Sequence, residues 1–477
     1  MNQKRKPYLF EAIITFSFLI IIMAAAIVLF AADPHIPMLI GTAFAALMAL
    51  RLGFEWREIE GAMVSGITKA LQSIIILAVI GVLIGTWVLS GVVPTMIYYG
   101  LKVIDPTYFL VTTMVIATIT SLATGSSWGT AGTIGIALMG VARGLSIPAP
   151  IAAGAIISGA YFGDKMSPLS DTTNLAPAMA GTDVFTHIKH MLVSNGLTYA
   201  VSLIVFLVIG LRHGGGNADL TSIDALMVGI ESHFTITPWL LLPPLIVIIV
   251  VAKKMPAIPG IFLGAVLGMV FAPIFQGAHL GDILNASMYG YVSETGIEMI
   301  DSLLTAGGLE GMMYSISLTL LAMMFGGIME ETGQLDVIVQ ALLKNVQSMT
   351  GLISLTLATS VFSNVTMPEQ YISIMIPGRM FAKTYRDRGL HPKTLSLVLE
   401  TGGTLTSVLV PWNTCGAFMF SVLGVSAFEY APWAILNYLT PLTVIVLTAL
   451  GSKFIIVRIE DDPTTINDFE LEKNEGF

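Results

Sequence analysis

Apolar runs near the roughly 20 residues needed to cross a bilayer recur along the whole chain, for example Leu9 to Ala32, Met191 to Leu211 and Trp433 to Leu450. Only 11% of the 477 residues are charged and 55% are hydrophobic, where a soluble domain carries about 25% charge. These features exclude a soluble globular protein and define an all-α polytopic membrane protein. The basic run Lys4-Arg5-Lys6 precedes an apolar stretch too long for a cleaved signal peptide, which predicts a retained first span and a cytoplasmic N-terminus over 1–8. Most of the net charge of −9 lies in the acidic tail beyond Arg458, a solvated cytoplasmic segment over 456–477. Nothing basic suggests nucleic acid, and the single Cys415 excludes an internal disulfide.

The chain resembles itself at an offset near 242: Gly91 falls on Gly333, Pro168 on Pro411, Asn195 on Asn437 and Thr198 on Thr440. Earlier, Ile36-Pro37 falls on Ile258-Pro259 at 222. Two transmembrane repeats, 9–212 and 236–455, follow, joined by a polar linker over 213–235. Repeated halves are the usual construction of secondary transporters, with the site at their interface near the membrane midplane. In each half one stretch is split by small polar residues, 107–142 in the first. If these stretches are re-entrant hairpins, each half crosses five times and the repeats are inverted, with about ten crossings in all. This arrangement places more of the 22 Lys and Arg on the cytoplasmic side than full crossings would.

Ionisable groups inside membrane segments are functional candidates by default. The richest run is Asp164-Lys165-Met-Ser167-Pro168-Leu-Ser-Asp171-Thr172-Thr-Asn174, where an apolar segment breaks into Pro, hydroxyls and charge. This is a discontinuous helix, and its freed carbonyls must face protein, water or an ion. Those carbonyls and hydroxyls, with Asp164 or Asp171, suit a small hard cation, which makes Asp164 and Asp171 the candidate Na+ ligands. Asp171 also reads as the N-cap of the second half-helix. Asp164 also reads as the salt-bridge partner of Lys165, a pairing that would act as a charge partner or gate. The matching break in the second half holds Glu400, Thr404 and Asn413, with Glu400 either hydrogen-bonded to hydroxyls or carrying a proton. The split stretches bring two tips, Thr124-Gly125-Ser126-Ser127 and Ser363-Asn364-Val-Thr366, which read as ion sites or as small-residue packing patches. Gly125-Ser-Ser-Trp-Gly129 fits a hydrolase pattern, but neither a preceding strand nor a deep histidine supports it, so no enzyme is expected. His187 and His190 read as interfacial histidines.

Gly159-Ala-Tyr-Phe-Gly-Asp-Lys-Met-Ser-Pro-Leu-Ser-Asp-Thr-Thr-Asn-Leu-Ala-Pro177, with Gly125-Ser-Ser-Trp-Gly-Thr-Ala-Gly-Thr-Ile-Gly135 before it, resembles the NhaC family of bacterial Na+/H+ antiporters. The resemblance covers essentially the whole chain. It implies sodium extrusion in exchange for protons across a bacterial plasma membrane, within a superfamily of inverted repeats and re-entrant hairpins. Ser363-Asn364-x-Thr366 is similar to the hairpin tips by which relatives bind sodium, with Val365 interrupting the triplet. The family also contains exchangers of organic acids such as malate and lactate, or of amino acids. The partners expected are Na+, H+ and the lipid bilayer, with a small organic anion and a second copy of the chain as further candidates; no cofactor is expected.

Overall fold

The computed structural model describes residues 4–30, 32–103, 105–214, 220–253, 255–343 and 346–461. The Gly215-Gly216-Asn217 part of the linker and the acidic residues from Asp462 onward lie outside the described residues. Among the described residues the backbone is helical, and pairing of extended segments is limited to two isolated bridges. Six helices are long and apolar enough to cross a membrane, or eight when two bent pairs are each counted as one span. Within the linker region a helix, Leu220–His233, buries Leu226 and Ile230 against the bundle.

Both split stretches turn back on themselves. In the first, Gly125 (φ 68°) ends the Phe109–Thr124 helix, and Ser126 caps the return segment by accepting from the Gly129 amide. Phe109–Thr124 runs parallel to Ala149–Met166, with Thr118 donating to the Gly159 carbonyl and Ser121 to that of Ala160. The chain between them therefore returns to the level at which both begin. In the second, Met349–Thr366 and Gln370–Asp387 form the two legs. Arg388, just past the return leg, donates to the Val346 carbonyl at 2.6 Å and ties the end of the hairpin to its start.

Helices Leu71–Leu89 and Met313–Glu331 correspond at the offset of 242 and run in opposite directions. Gly66 and Lys69, just before the first, lie against Gly327 and Glu330 near the end of the second, while Gly85 lies against Gly308. At the offset of 242 the pair Gly66/Gly327 maps onto Gly308/Gly85, so one contact is made twice. Thr198 meets its own counterpart Thr440 at 2.8 Å across 242 residues. The close approaches require glycine: a Cβ on Gly327 would sit 2.1 Å from the Ala62 carbonyl oxygen.

Candidate ion site at two broken helices

The first break separates Ala149–Met166 from Asp171–Ala180. Pro168 has no amide to continue the helix. The second half-helix restarts with Ser170 as its N-cap, accepting from the Thr173 amide. Capping was the alternative reading of Asp171; with Ser170 in that position, Asp171 is the first helical residue and its carboxylate faces outward. Both residues have cap-competent side chains, and adjacent cap formers cannot be ranked from the sequence. The carbonyls released by the break are met locally, because the Asn174 amide donates to Pro168 O at 2.9 Å and Ser170 O at 2.7 Å. Ser167 donates to Leu122 O at 2.8 Å and fastens the break to the first hairpin. At the tip of that hairpin, Ser127 donates to the Asp164 carboxylate at 2.9 Å.

Lys165 is fully buried and joins the two halves. Its ammonium lies 2.8 Å from Glu400 and 3.4 Å from Asp164, and donates to the Thr172 hydroxyl at 2.7 Å. Glu400 is equally buried, and neither of its oxygens has a well-aligned hydrogen bond. Its contact with Lys165 is therefore an ion pair set by distance more than by direction, in place of the hydroxyl partners that the sequence allowed. The salt-bridge reading of Asp164 is met by the more distant share of the Lys165 charge, and Asp164 also takes a hydroxyl from the hairpin.

The second break runs from Pro392–Gly403 through a 3-10 turn at Ser407–Leu409 to Thr414–Leu423, and the segment Pro392–Leu409 is bent by 46° against the restart. Asn364, from the second hairpin, donates to Gly402 O (3.1 Å), Gly403 O (2.7 Å) and Thr406 Oγ1 (3.0 Å). Asn413 caps the restart by accepting from the Cys415 amide at 3.0 Å and donates to Asn364 O at 3.1 Å. Thr366 bonds back to Phe362 O within its own helix, whereas the buried hydroxyls of Ser363, Thr401 and Thr404 have no partner.

A cavity of about 370 Å³ reaches the first break. Asp164, Asp171, Thr172 and the tip residues Thr124, Gly125, Ser126 and Ser127 line it. Ser167, Lys165, Asn174, Ser363, Asn364, Thr366, Glu400 and Asn413 are not among its lining residues. Gln370 and Tyr371, from the tip of the second hairpin, complete the lining, and neither was singled out by the sequence. The repeat register carries the signal, since Trp128, beside Ser127, falls on Gln370 at 242. Glu369, the counterpart of Ser127, is buried, with Oε2 capping Tyr371 N at 2.6 Å and Oε1 left without a partner. His187, expected at the interface, is instead buried with its Nδ1 2.8 Å from the Ser396 hydroxyl.

Among the described residues no three His, Cys, Asp or Glu side chains converge as a transition-metal site would require. What remains is a water-reachable pair of carboxylates among hydroxyls, at helices broken inside a bundle of membrane spans. That combination defines a multi-pass membrane transporter.

Residues 159–452 match the model of the Na+/H+ antiporter family. Na(+)/H(+) antiporter NhaC of Alkalihalophilus pseudofirmus is 40% identical over 420 residues, covering 88% of this chain and 90% of the relative. Malate-2H(+)/Na(+)-lactate antiporter of Bacillus subtilis is 38% identical, covering 92% and 94%. Arginine/ornithine antiporter ArcD of Halobacterium salinarum is 34% identical, covering 97% and 96%. The chain belongs to the Na+/H+ antiporter family.

Proposed function

We propose that this protein exchanges Na+ for H+ across the bacterial plasma membrane, with both ions competing for the carboxylates of Asp164 and Asp171. The observation that carries this reading is the charge of the cavity wall. Asp164 and Asp171 reach the cavity, while the neighbouring cation, Lys165, is held by Glu400 at 2.8 Å. Oxygen donors with net negative charge suit a hard cation. A protonated carboxylate coordinates sodium poorly, so occupancy by one ion excludes the other, and an empty charged site resists reorientation because its desolvation is uncompensated.

The antiparallel equivalent helices and the twice-made glycine contact support inverted repeats that alternate access to the site. The cavity's outer wall includes Gln72, Val251 and Met255, neighbours in sequence of Lys69 and Lys253. By the bias of Lys and Arg toward the cytoplasm, this side is cytoplasmic, as are both termini, and the conformation is inward-open.

The relatives' names raise organic solutes as a second reading, and the cavity discriminates among them. A volume of about 370 Å³ exceeds the roughly 30 Å³ that one water occupies by enough to admit a small solute. Two lining acids favour a cationic amino acid over a dicarboxylate, which would have to recruit Lys165 from Glu400. The test is purified protein in liposomes carrying a pH dye, with a pH gradient imposed and Na+, Li+, K+, malate, lactate or arginine added singly. Collapse of the gradient on Na+ alone is expected. A response that requires an organic solute on the opposite side would replace ion exchange by solute exchange.

A further inference from the structure

A second recess, of about 230 Å³, is lined by Asp33, Pro34, Tyr314, Leu318, Pro411 and Ala417 among others. Its lining is the counterpart of the first cavity's under the repeat register. Gln72 and Ile76 of the larger cavity fall on Tyr314 and Leu318 at 242, Pro168 falls on Pro411 at 243, and Met255-Pro256 fall on Asp33-Pro34 at 222. Each recess therefore begins beside the start of equivalent helices and ends at the break of its own repeat. Because those helices are antiparallel, with Lys69 paired to Glu330, their starts lie on opposite faces of the bundle.

We propose that this recess is the external half of the transport path, narrowed in the present conformation, and that the Asp33–Tyr314 hydrogen bond is the latch at its mouth. The inference rests on the transporter reading and adds the route by which a cation reaches the site from outside. Tyr314 donates to Asp33 at 2.7 Å, and the His35 ring packs edge-on against Tyr314 with Nε2 2.9 Å from its carbonyl. At the next residue, Ser315 donates to Ala417 O at 2.7 Å and clamps the Met313–Glu331 helix onto the restarted half of the second break. Opening the recess to the width of its counterpart requires these bonds to part. Asp33 then remains at the mouth as a solvated acid, which draws cations and repels anions.

The test is access of a membrane-impermeant, trimethylammonium-bearing methanethiosulfonate to single cysteines in right-side-out vesicles, in a Cys415→Ser background. Ala417→Cys reports the recess and Gln72→Cys the larger cavity, the latter labelled in inverted vesicles. Tyr314→Phe removes the latch without touching either reporter. Losing a hydrogen bond to a charged acceptor is expected to raise external labelling of Ala417→Cys about tenfold and to lower internal labelling of Gln72→Cys in step. The proposal fails if Ala417→Cys stays unreactive from outside with Tyr314→Phe present. It fails equally if external labelling rises while Gln72→Cys is unaffected, because the two recesses are then independent. Reciprocal labelling in a protein that shows no Na+/H+ exchange would keep the path and overturn the ion assignment alone.

Discussion

The bridge between the two breaks makes a quantitative prediction. Glu400→Gln removes the nearer counter-charge of a fully buried ammonium, 2.8 Å away, and leaves Asp164 at 3.4 Å. Breaking a buried pair by deleting one partner costs about 3–5 kcal/mol, because the remaining charge is left uncompensated. With Asp164 still in reach, the loss belongs at the lower end, about 3 kcal/mol. Lys165→Met strands two carboxylates, one of which, Glu400, has no other partner, and belongs at the upper end, about 5 kcal/mol. Lys165→Met combined with Glu400→Met removes both charges and should recover most of the loss, since apolar replacement of a whole buried pair is often neutral. Unfolding temperature in detergent orders the variants as double mutant, then Glu400→Gln, then Lys165→Met. In Glu400→Gln the freed ammonium turns to Asp164 and competes with Na+ there. The half-saturating Na+ concentration in liposomes should then rise about tenfold, equivalent to about 1.4 kcal/mol. A Glu400→Gln protein with wild-type unfolding temperature and wild-type Na+ dependence, or a double variant no more stable than Lys165→Met, would refute the reasoning.

Asp164→Asn and Asp171→Asn should each abolish exchange while leaving the amount of protein in the membrane unchanged; full dye-quench activity in both would remove the site assignment. Ser127→Ala deletes a 2.9 Å bond to the Asp164 carboxylate, and the half-saturating Na+ concentration should change by about tenfold with little effect on expression. Gly327→Ala places a methyl 2.1 Å from the Ala62 carbonyl oxygen, so the yield of folded, monodisperse protein in size-exclusion chromatography should collapse, whereas Gly333→Ala, where nothing lies within 4 Å but φ is 71°, should cost only about 1 kcal/mol. Outside the spans, the Asp301 carboxyl is held below its ordinary 3.8 by the Thr295 side chain and by backbone amides. A depressed carboxylate stabilises its loop above the ordinary value and loses that contribution as pH falls through the folded value. Protection factors over 293–301, each referred to the intrinsic exchange rate at its own pH, should therefore be higher at pH 6 than near pH 3, and pH-independent protection factors would contradict the assignment.

Much of this arrangement was legible because a membrane chain has few charges to place. The break at Asp164 to Asn174 stood out as polar chemistry inside an apolar run, and the repeat register near 242 located its counterpart around Glu400. The small-residue tips marked where each split stretch turns back, while their lengths left both a re-entrant hairpin and a pair of full crossings open. The partner of Lys165 was not, because the local candidates were its neighbour Asp164 and nearby Asp171, while Glu400 lies 235 residues away and is brought close only by packing of the two halves. Asn174 and Asn413 read as ion ligands through their side-chain oxygens, and the structure adds a second use, their amide nitrogens donating to Pro168 O and Asn364 O. An amide presents donor and acceptor separately, and the donor's partner was not legible from the sequence. The burial of His187 against Ser396 was equally illegible, since the helix Val184–Gly214 begins before the apolar run that marks its span.

The two halves of the sequence share a register but not a charge pattern. Under the register that matches Asn195 to Asn437, Lys165 falls on Ser407, Asp171 on Asn413 and Glu400 on Ser158, so the mate of the central ion pair is a pair of hydroxyls. A molecular rocker with identical arms would rest equally on either side when ion concentrations are equal. Here the first half carries Asp164, Lys165 and Asp171 and the second carries Glu369 and Glu400 at positions without charged mates, so on the proposed alternating-access reading the two resting positions differ in free energy before any gradient is applied. The direction in which this protein idles is then a property of its sequence, adjustable by exchanging residues between the halves, while the direction in which it works is still set by the ions outside and in.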